Sequence, residues 1–117
     1  ERLIPAANEP LERDHVAALE LLARARLADG DPTAALVAVD RALPAAEAMG
    51  FGALVWRLLA IRAEALAAGA GDGPGSAEEA RAAARAAYSA VADRIADPDL
   101  RAWFDRQPLA AALLAGD

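Results

Sequence analysis

The sequence predicts an all-α protein in which antiparallel helical hairpins stack on one another. Alanine, the strongest helix former, makes up roughly a third of the 117 residues, while β-branched residues are scarce. Two distant segments also share one pattern, in which a helix cap is followed by small residues seven positions apart. These small residues, which allow helices to approach closely, are Ala35 with Ala42 and Ala80 with Ala87.

The composition argues against several classes of function. The formal net charge is −6, so neither nucleic acid nor an anionic membrane surface is an expected partner. No apolar run reaches the ~18 residues of a membrane-spanning helix, and no signal-peptide pattern is present, which favours a cytoplasmic location. Cysteine is absent, which excludes disulfides and thiol chemistry. Because the chain begins with Glu1 instead of Met, we expect it to be a piece of a longer protein.

The first helix is expected to begin near Glu9 or Pro10, after a lead-in of residues 1–8, and to end near Asp29. Proline is tolerated in a first helical turn, and acidic side chains suit the positive end of the helix dipole. Gly30 then ends the helix. Apolar residues at helical spacing predict its buried stripe: Leu19, Leu22, Ala23 and Leu27.

The second helix should begin with Asp31 as N-cap and Pro32 in the first helical position, and it should end near Gly50. Pro44 lies inside this helical pattern. Its ring removes a backbone donor and clashes with the preceding turn, so we predict a kink there, and the alternative that the helix splits stays open. The predicted buried stripe is Leu36, Val39, Ala42 and Leu43.

A third helix is predicted from about Gly52 to Ala68, followed by a flexible glycine-rich segment over residues 69–75. The fourth helix should open with Ser76 and Glu79 as a capping box, in which each side chain accepts a hydrogen bond from the other residue's backbone N–H. One face of this helix carries Ala80, Ala84, Ala87, Tyr88, Val91 and Ile95.

The C-terminal segment predicts a short helix capped by Asp97, followed by one or two helical turns that begin at Pro108. Trp103 and Phe104 lie in the short helix. Together with the leucines that follow, they are expected to form a lid over the end of the helical stack, which terminal repeats require. Trp103 neighbours Arg101 and Arg106, as an aromatic ring that stacks on nucleic acid bases would, but aromatic residues at helical spacing near a terminus favour core packing.

No residue pattern predicts catalysis, a cofactor or a metal site. His15 is the only histidine, and without a nucleophile or fixed partner beside it a surface position is expected. The glycines of residues 69–75 follow a helix and no lysine follows them, so they do not form a phosphate-binding loop. Asp31 and Asp97 lack the spacing of calcium ligands and are better explained as helix caps.

The pattern from about Leu11 to Ile95 resembles the tetratricopeptide repeat. In the first unit the matching positions are Leu19, Leu22 and Ala23, the turn Gly30-Asp31, and then Ala35, Val39 and Ala42. In the second unit they are Leu59, Ala63 and Leu66, followed by Ala80, Ala84 and Ala87. The resemblance implies two hairpins over residues 9–96, stacked as a right-handed array, with a C-terminal capping helix and tail over residues 97–117.

Members of this repeat family bind ligands along a concave surface lined by the first helix of each hairpin. By the resemblance, the groove would be lined by Ala17, Glu20, Arg24, Leu27, Arg57, Ala60, Glu64 and Ala67. Arg24 and Arg57 could hold a peptide carboxylate, because arginine forms bidentate pairs. Alternatively, Glu20 and Arg24 are four residues apart and would form an ordinary exposed ion pair.

The segment Asp97–Phe104 with the residues that follow it resembles the C-terminal tail of large bacterial signalling proteins, which carry STAND-type ATPase, cyclase or LuxR-type DNA-binding modules beside repeat arrays. The resemblance implies a non-catalytic scaffold for protein–protein interaction within a regulatory or signal-transduction protein. Its partner would be a protein, a peptide or adjacent repeats of the parent chain. Two alternatives stay open: a helical module that forms a homodimer, and a helical domain that senses a small molecule.

Overall fold

The computed structural model describes residues 5–70 and 74–115, and the side chains of residues 13–70 and 76–114. Within these residues the prediction of an all-α protein is confirmed, because they form helices joined by turns, without a strand. The elements are α1 (Pro5–Ala28), α2 (Pro32–Met49), α3 (Gly52–Ala65), a π-helical turn (Leu66–Ala70), α4 (Pro74–Ala92), α5 (Pro98–Asp105) and α6 (Pro108–Ala115).

The turn between α1 and α2 forms as the local sequence predicts. Gly30 has φ +80°, a left-handed conformation that favours glycine. Its N–H bonds to the Leu27 carbonyl over 3.1 Å, and the Asp31 N–H bonds to the Arg26 carbonyl over 2.9 Å. This pair of bonds satisfies the last carbonyls of α1 as a Schellman motif. The Asp31 carboxylate then accepts a 3.1 Å bond from the Ala34 N–H, which confirms Asp31 as the N-cap of α2.

Two helices begin earlier than predicted. α1 begins at Pro5, within the predicted lead-in, and not near Glu9 or Pro10. α4 begins at Pro74, so Ser76 is the third residue of the helix instead of its N-cap, and the predicted capping box is wrong.

α2 runs from Pro32 to Met49 without a break at Pro44, so the alternative of a split helix is wrong. Pro44 is exposed, which leaves the unpaired backbone carbonyl one turn earlier within reach of water. The helix ends as predicted at Gly50, which has φ +72°. α3 ends at Ala65, earlier than predicted, and gives way to the π-helical turn; residues 71–73 of the predicted flexible segment lie outside the described residues.

Side-chain contacts give the directions of the helices. An ion pair between Arg62 of α3 and Asp40 of α2 shows that these helices are antiparallel. Arg62 follows the turn between them by about as many residues as Asp40 precedes it. α3 and α4 are also antiparallel, because a Cβ added to Gly52, at the start of α3, would lie 3.1 Å from Val91, near the end of α4.

α1 and α3 instead run in the same direction. The Arg13 guanidinium lies 5.0 Å from the centre of the Phe51 ring, and one to two turns later Glu20 of α1 bonds to Arg57 of α3. α1 packs against α2, as α2 packs against α3 and α3 against α4. Among α1 to α4, helices that are neighbours in sequence are therefore neighbours in space, and α1 and α3 lie side by side.

Two hydrophobic clusters share α3. The first cluster joins α1, α2 and α3 and includes Val16, Leu19, Ala23, Ala35, Val39, Ala42, Leu54, Leu58 and Ile61. The second cluster joins α3, α4 and α6 and includes Trp56, Ala60, Ala84, Tyr88, Ala110 and Leu113. Within it the rings of Trp56 and Tyr88 meet edge to face, with centroids 4.7 Å apart. Leu22, which the sequence placed in the buried stripe of α1, is exposed.

The C-terminal lid is formed by α6 and not by the aromatic residues of α5. Asp97 caps α5 as predicted, because its carboxylate accepts the Asp99 N–H over 2.9 Å. Trp103 and Phe104 are exposed, so their predicted core position is wrong. Their place in the core is filled by α6, which begins at Pro108 as predicted.

Candidate functional site

Three of the predicted groove residues form one ion cluster. The Arg57 guanidinium binds the Glu20 carboxylate as a fork, with Nε donating to Oε2 over 2.8 Å and Nη2 donating to Oε1 over 3.2 Å. Nη2 of Arg24 donates to the same Oε2 over 3.1 Å. Glu20 is only 7% exposed, whereas the two arginines are partly exposed. The predicted pair of Glu20 with Arg24 therefore forms, but it is partly buried and includes Arg57.

The cluster connects α1 to α3. Glu20 belongs to α1 and Arg57 to α3, so their two hydrogen bonds fix the position of one helix along the other. A fork between arginine and carboxylate adds geometric specificity as well as energy. Because Arg57 already holds the protein's own carboxylate, only Arg24 presents a cationic edge to a ligand in this arrangement.

A cleft of about 270 Å³ lies beside this cluster, between α1, α3 and α6. Three predicted residues line it: Arg24, Leu27 and Glu64. Its other lining residues, which the sequence did not predict, are Ile61, Pro108 and Leu109. The last two belong to α6, and no local signal in the sequence places that helix next to α1. The cleft therefore has apolar walls with one arginine and one glutamate at its edges.

The remaining predicted groove residues do not line this cleft. Ala17 and Ala67 are exposed. Ala60 is 3% exposed and packs in the second cluster with Tyr88.

Two other depressions lie along the helices. One of about 370 Å³ lies between α2, α3, the π-helical turn and α4, and its lining includes Leu36, Arg62, Leu66 and Glu79. The other, between α3, α4 and α6, has only about 80 Å³ and is lined mainly by alanine and leucine. A volume this small accommodates a few water molecules, since one water occupies about 30 Å³ in the liquid.

A polar network fastens α5 to α4. The hydroxyl of Tyr88, which is almost fully buried, donates a hydrogen bond to Oδ1 of Asp105. Arg101 donates to the same Asp105 oxygen over 3.2 Å and to Asp93 over 3.0 Å. Burial of the hydroxyl and its bond to the carboxylate raise the pKa of Tyr88 to about 12. The bond from Tyr88 in turn holds the pKa of Asp105 below its usual value.

His15 is exposed, as predicted. In the two described ranges, no three His, Cys, Asp or Glu side chains lie close enough together to hold a metal ion. Among the helices the structure describes, none is long and apolar enough to cross a membrane. The cleft beside Arg24 is the described concave surface that three of the predicted groove residues line.

Comparison with known proteins gives no family for this chain. No protein-family model matches it, and neither curated sequences nor solved structures give a significant match. Its function is therefore inferred from the chemistry and geometry of its own residues.

Proposed function

We propose that this chain is a non-catalytic scaffold that binds a peptide segment of a partner protein in the cleft between α1, α3 and α6. The observation that carries the proposal is the bidentate bond between Glu20 and Arg57. It holds α1 and α3 side by side, leaves Arg24 at the edge of the cleft, and so gives a preformed surface with apolar walls.

The proposal includes a tetratricopeptide-like arrangement of the two hairpins, α1–α2 and α3–α4. Three features support it: sequential helices are antiparallel, α1 and α3 run in parallel, and alanines fill the helix contacts. Repeats of this kind bury their faces against one another, and a terminal repeat needs a cap, a role that suits α6. The proposed setting is a bacterial regulatory or signal-transduction protein, in which the scaffold acts through association and not through chemistry.

The cleft indicates the chemistry of the bound segment. Leu27, Ile61 and Leu109 would contact an apolar side chain, and about 270 Å³ accommodates one or two such side chains. The Arg24 side chain is about half exposed and would attract an acidic group next to that apolar side chain. We therefore propose a short peptide with a bulky apolar residue beside an aspartate or glutamate.

A peptide library displayed on phage and selected against the whole chain tests this proposal. Selected peptides should be enriched in an apolar residue next to an acidic one, and Arg24→Glu should weaken their binding about tenfold or more, as expected for a like-charge contact. Arg26→Glu is the matched control, because Arg26 is exposed on the same helix but does not line the cleft. Selection of no peptide, or equal effects of the two variants, would contradict peptide binding in this cleft.

A further inference from the structure

The outer face of α5 is the least covered apolar surface at the C-terminal end of the described chain. None of the residues of α5, all of which the structure describes, is buried. Leu100, Trp103 and Phe104 are 46%, 49% and 38% exposed, and their spacing of three and four residues places them on one side of the helix. The rings of Trp103 and Phe104 pack edge to face, with centroids 5.0 Å apart. Contiguous exposed apolar side chains of this kind mark interaction surfaces.

The polar network holds this face outward. Arg101 and Asp105 lie on the opposite side of α5, where Asp105 receives the hydroxyl bond of the buried Tyr88. Arg101 also reaches Asp93, just after α4. α5 is thus oriented by hydrogen bonds and not by an apolar core. The aromatic face is therefore fixed in a defined direction before any partner arrives, which lowers the entropy lost on association.

Charged residues flank the aromatic face in positions that allow two copies of α5 to pair their opposite charges. Asp99, in the first turn of α5, and Arg106, its C-cap residue, are both exposed. They are seven residues apart, about two helical turns, so they lie on the same flank next to Trp103. When two such helices meet in antiparallel orientation, the acidic end of each lies against the basic end of the other.

We propose that the protein forms a homodimer through α5, with the aromatic faces of two copies packed in antiparallel orientation about a two-fold axis. In this dimer Asp99 lies opposite the partner's Arg106, and the reciprocal pair forms on the other side of the axis, as an isologous interface requires. Leu100, Trp103 and Phe104 fill the centre. The dimer does not rest on peptide binding in the cleft, because it uses none of the residues that line the cleft.

The first test is the mass of the whole chain in solution. An interface built on one short helix buries less than ~1,200 Å², so the dimer should be weak and should dissociate on dilution. Light scattering from about 1 µM to about 1 mM should show the mass rising from that of one chain toward that of two. A monomer at every concentration would overturn the proposal.

The fluorescence emission of Trp103 tests whether the two chains meet at α5. The chain has two tryptophans, and Trp56 is buried in the second cluster, so a concentration-dependent blue shift in emission should come from Trp103. Trp103→Phe keeps an apolar ring but should abolish the shift. Trp103→Ala should weaken dimerisation about tenfold or more, as truncation of a central aromatic anchor does. Leu21→Ala is the matched control, because Leu21 is 69% exposed on α1. If Leu21→Ala weakened the dimer and Trp103→Ala did not, α5 would not be the interface.

A charge exchange tests the antiparallel orientation. In the proposed dimer, Asp99→Arg or Arg106→Asp alone turns both reciprocal pairs into pairs of like charge. Each single variant should therefore weaken the dimer about tenfold. The double variant restores opposite charges across the axis and should dimerise within about threefold of the original protein. Circular dichroism checks that the helix content is unchanged, since both substitutions also oppose the helix dipole. A double variant as weak as the single variants, with intact helices, would overturn the antiparallel arrangement.

Discussion

At the scale of single residues, Glu20 is notable because its charged side chain is buried. It is the one charged residue in the buried set of the described side chains, and both of its oxygens accept bonds from arginine. A buried charge of this kind depends on its partners, because its own desolvation is unfavourable. The pair of Glu20 and Arg57 therefore sets the alignment of the hairpins and is sensitive to loss of either member.

Glu20→Ala should lower the free energy of unfolding by about 2 kcal/mol, because it removes two or three charge-assisted bonds and leaves Arg57 partly buried without its partner. Urea unfolding followed by circular dichroism measures the change. Glu47→Ala, at an exposed position of α2, should change stability by less than ~0.5 kcal/mol. A double-mutant cycle with Arg57→Ala should give a favourable coupling energy, and additive effects of the two substitutions would contradict the cluster.

Tyr88 allows a prediction about pH. The folded pKa of about 12 lies above the ordinary value of 10.0, so folding stabilises the neutral phenol. That contribution is complete below pH 10 and is lost as the pH rises through 12, so stability should fall across this window. Tyr88 is the only tyrosine, and its ultraviolet absorbance change should therefore have a midpoint near pH 12 in the folded protein. A midpoint near pH 10, with the helices intact, would mean that the hydroxyl is solvated and not bonded to Asp105.

At the scale of elements, local sequence predicts a helix end correctly only where one residue gives a clear start or stop signal. Asp31 and Asp97 cap α2 and α5 as predicted, because in both cases a proline follows at once and fixes the first helical turn. Ser76 has the sequence of a cap, but it lies inside α4, which already includes Pro74. The capping pattern of Ser76 could not reveal this, because local signals place a helix boundary only to within one or two residues.

These two positions give a paired prediction. Asp31→Ala removes the carboxylate that accepts the Ala34 N–H and should destabilise the protein by about 1 kcal/mol. Ser76→Ala replaces a residue inside the first turn of α4 and should change stability by less than ~0.5 kcal/mol. Urea unfolding of the two variants measures both changes in stability. An equal loss from Ser76→Ala would mean that Ser76 acts as a cap after all.

At the scale of the whole molecule, sequence predicts the helices better than it predicts how they meet. The all-α class and most helix ends follow from alanine content, glycines and prolines, all of which act locally. The groove requires the register between α1 and α3, and the bond between Glu20 and Arg57 that joins these helices connects distant segments that no local pattern pairs. In an alanine-rich helix several faces carry residues small enough to pack against another helix, so periodicity alone does not predict which face is buried. The same ambiguity hid the position of α6, which supplies one wall of the cleft.

The contribution of α6 to the whole fold can be tested at two adjacent leucines. Leu113 is buried in the second cluster beside Trp56 and Tyr88, whereas Leu114 is 41% exposed. Leu113→Ala should therefore lower the free energy of unfolding by about 2–3 kcal/mol, and Leu114→Ala by well under half as much. Because α3 belongs to both main clusters, the loss should lower the stability of the whole molecule and not of one hairpin. Circular dichroism and Trp56 fluorescence, measured in a Trp103→Phe background, should then give coincident urea transitions for both variants. If Leu113→Ala separated these transitions, the two hairpins would unfold independently, and α3 would not couple them.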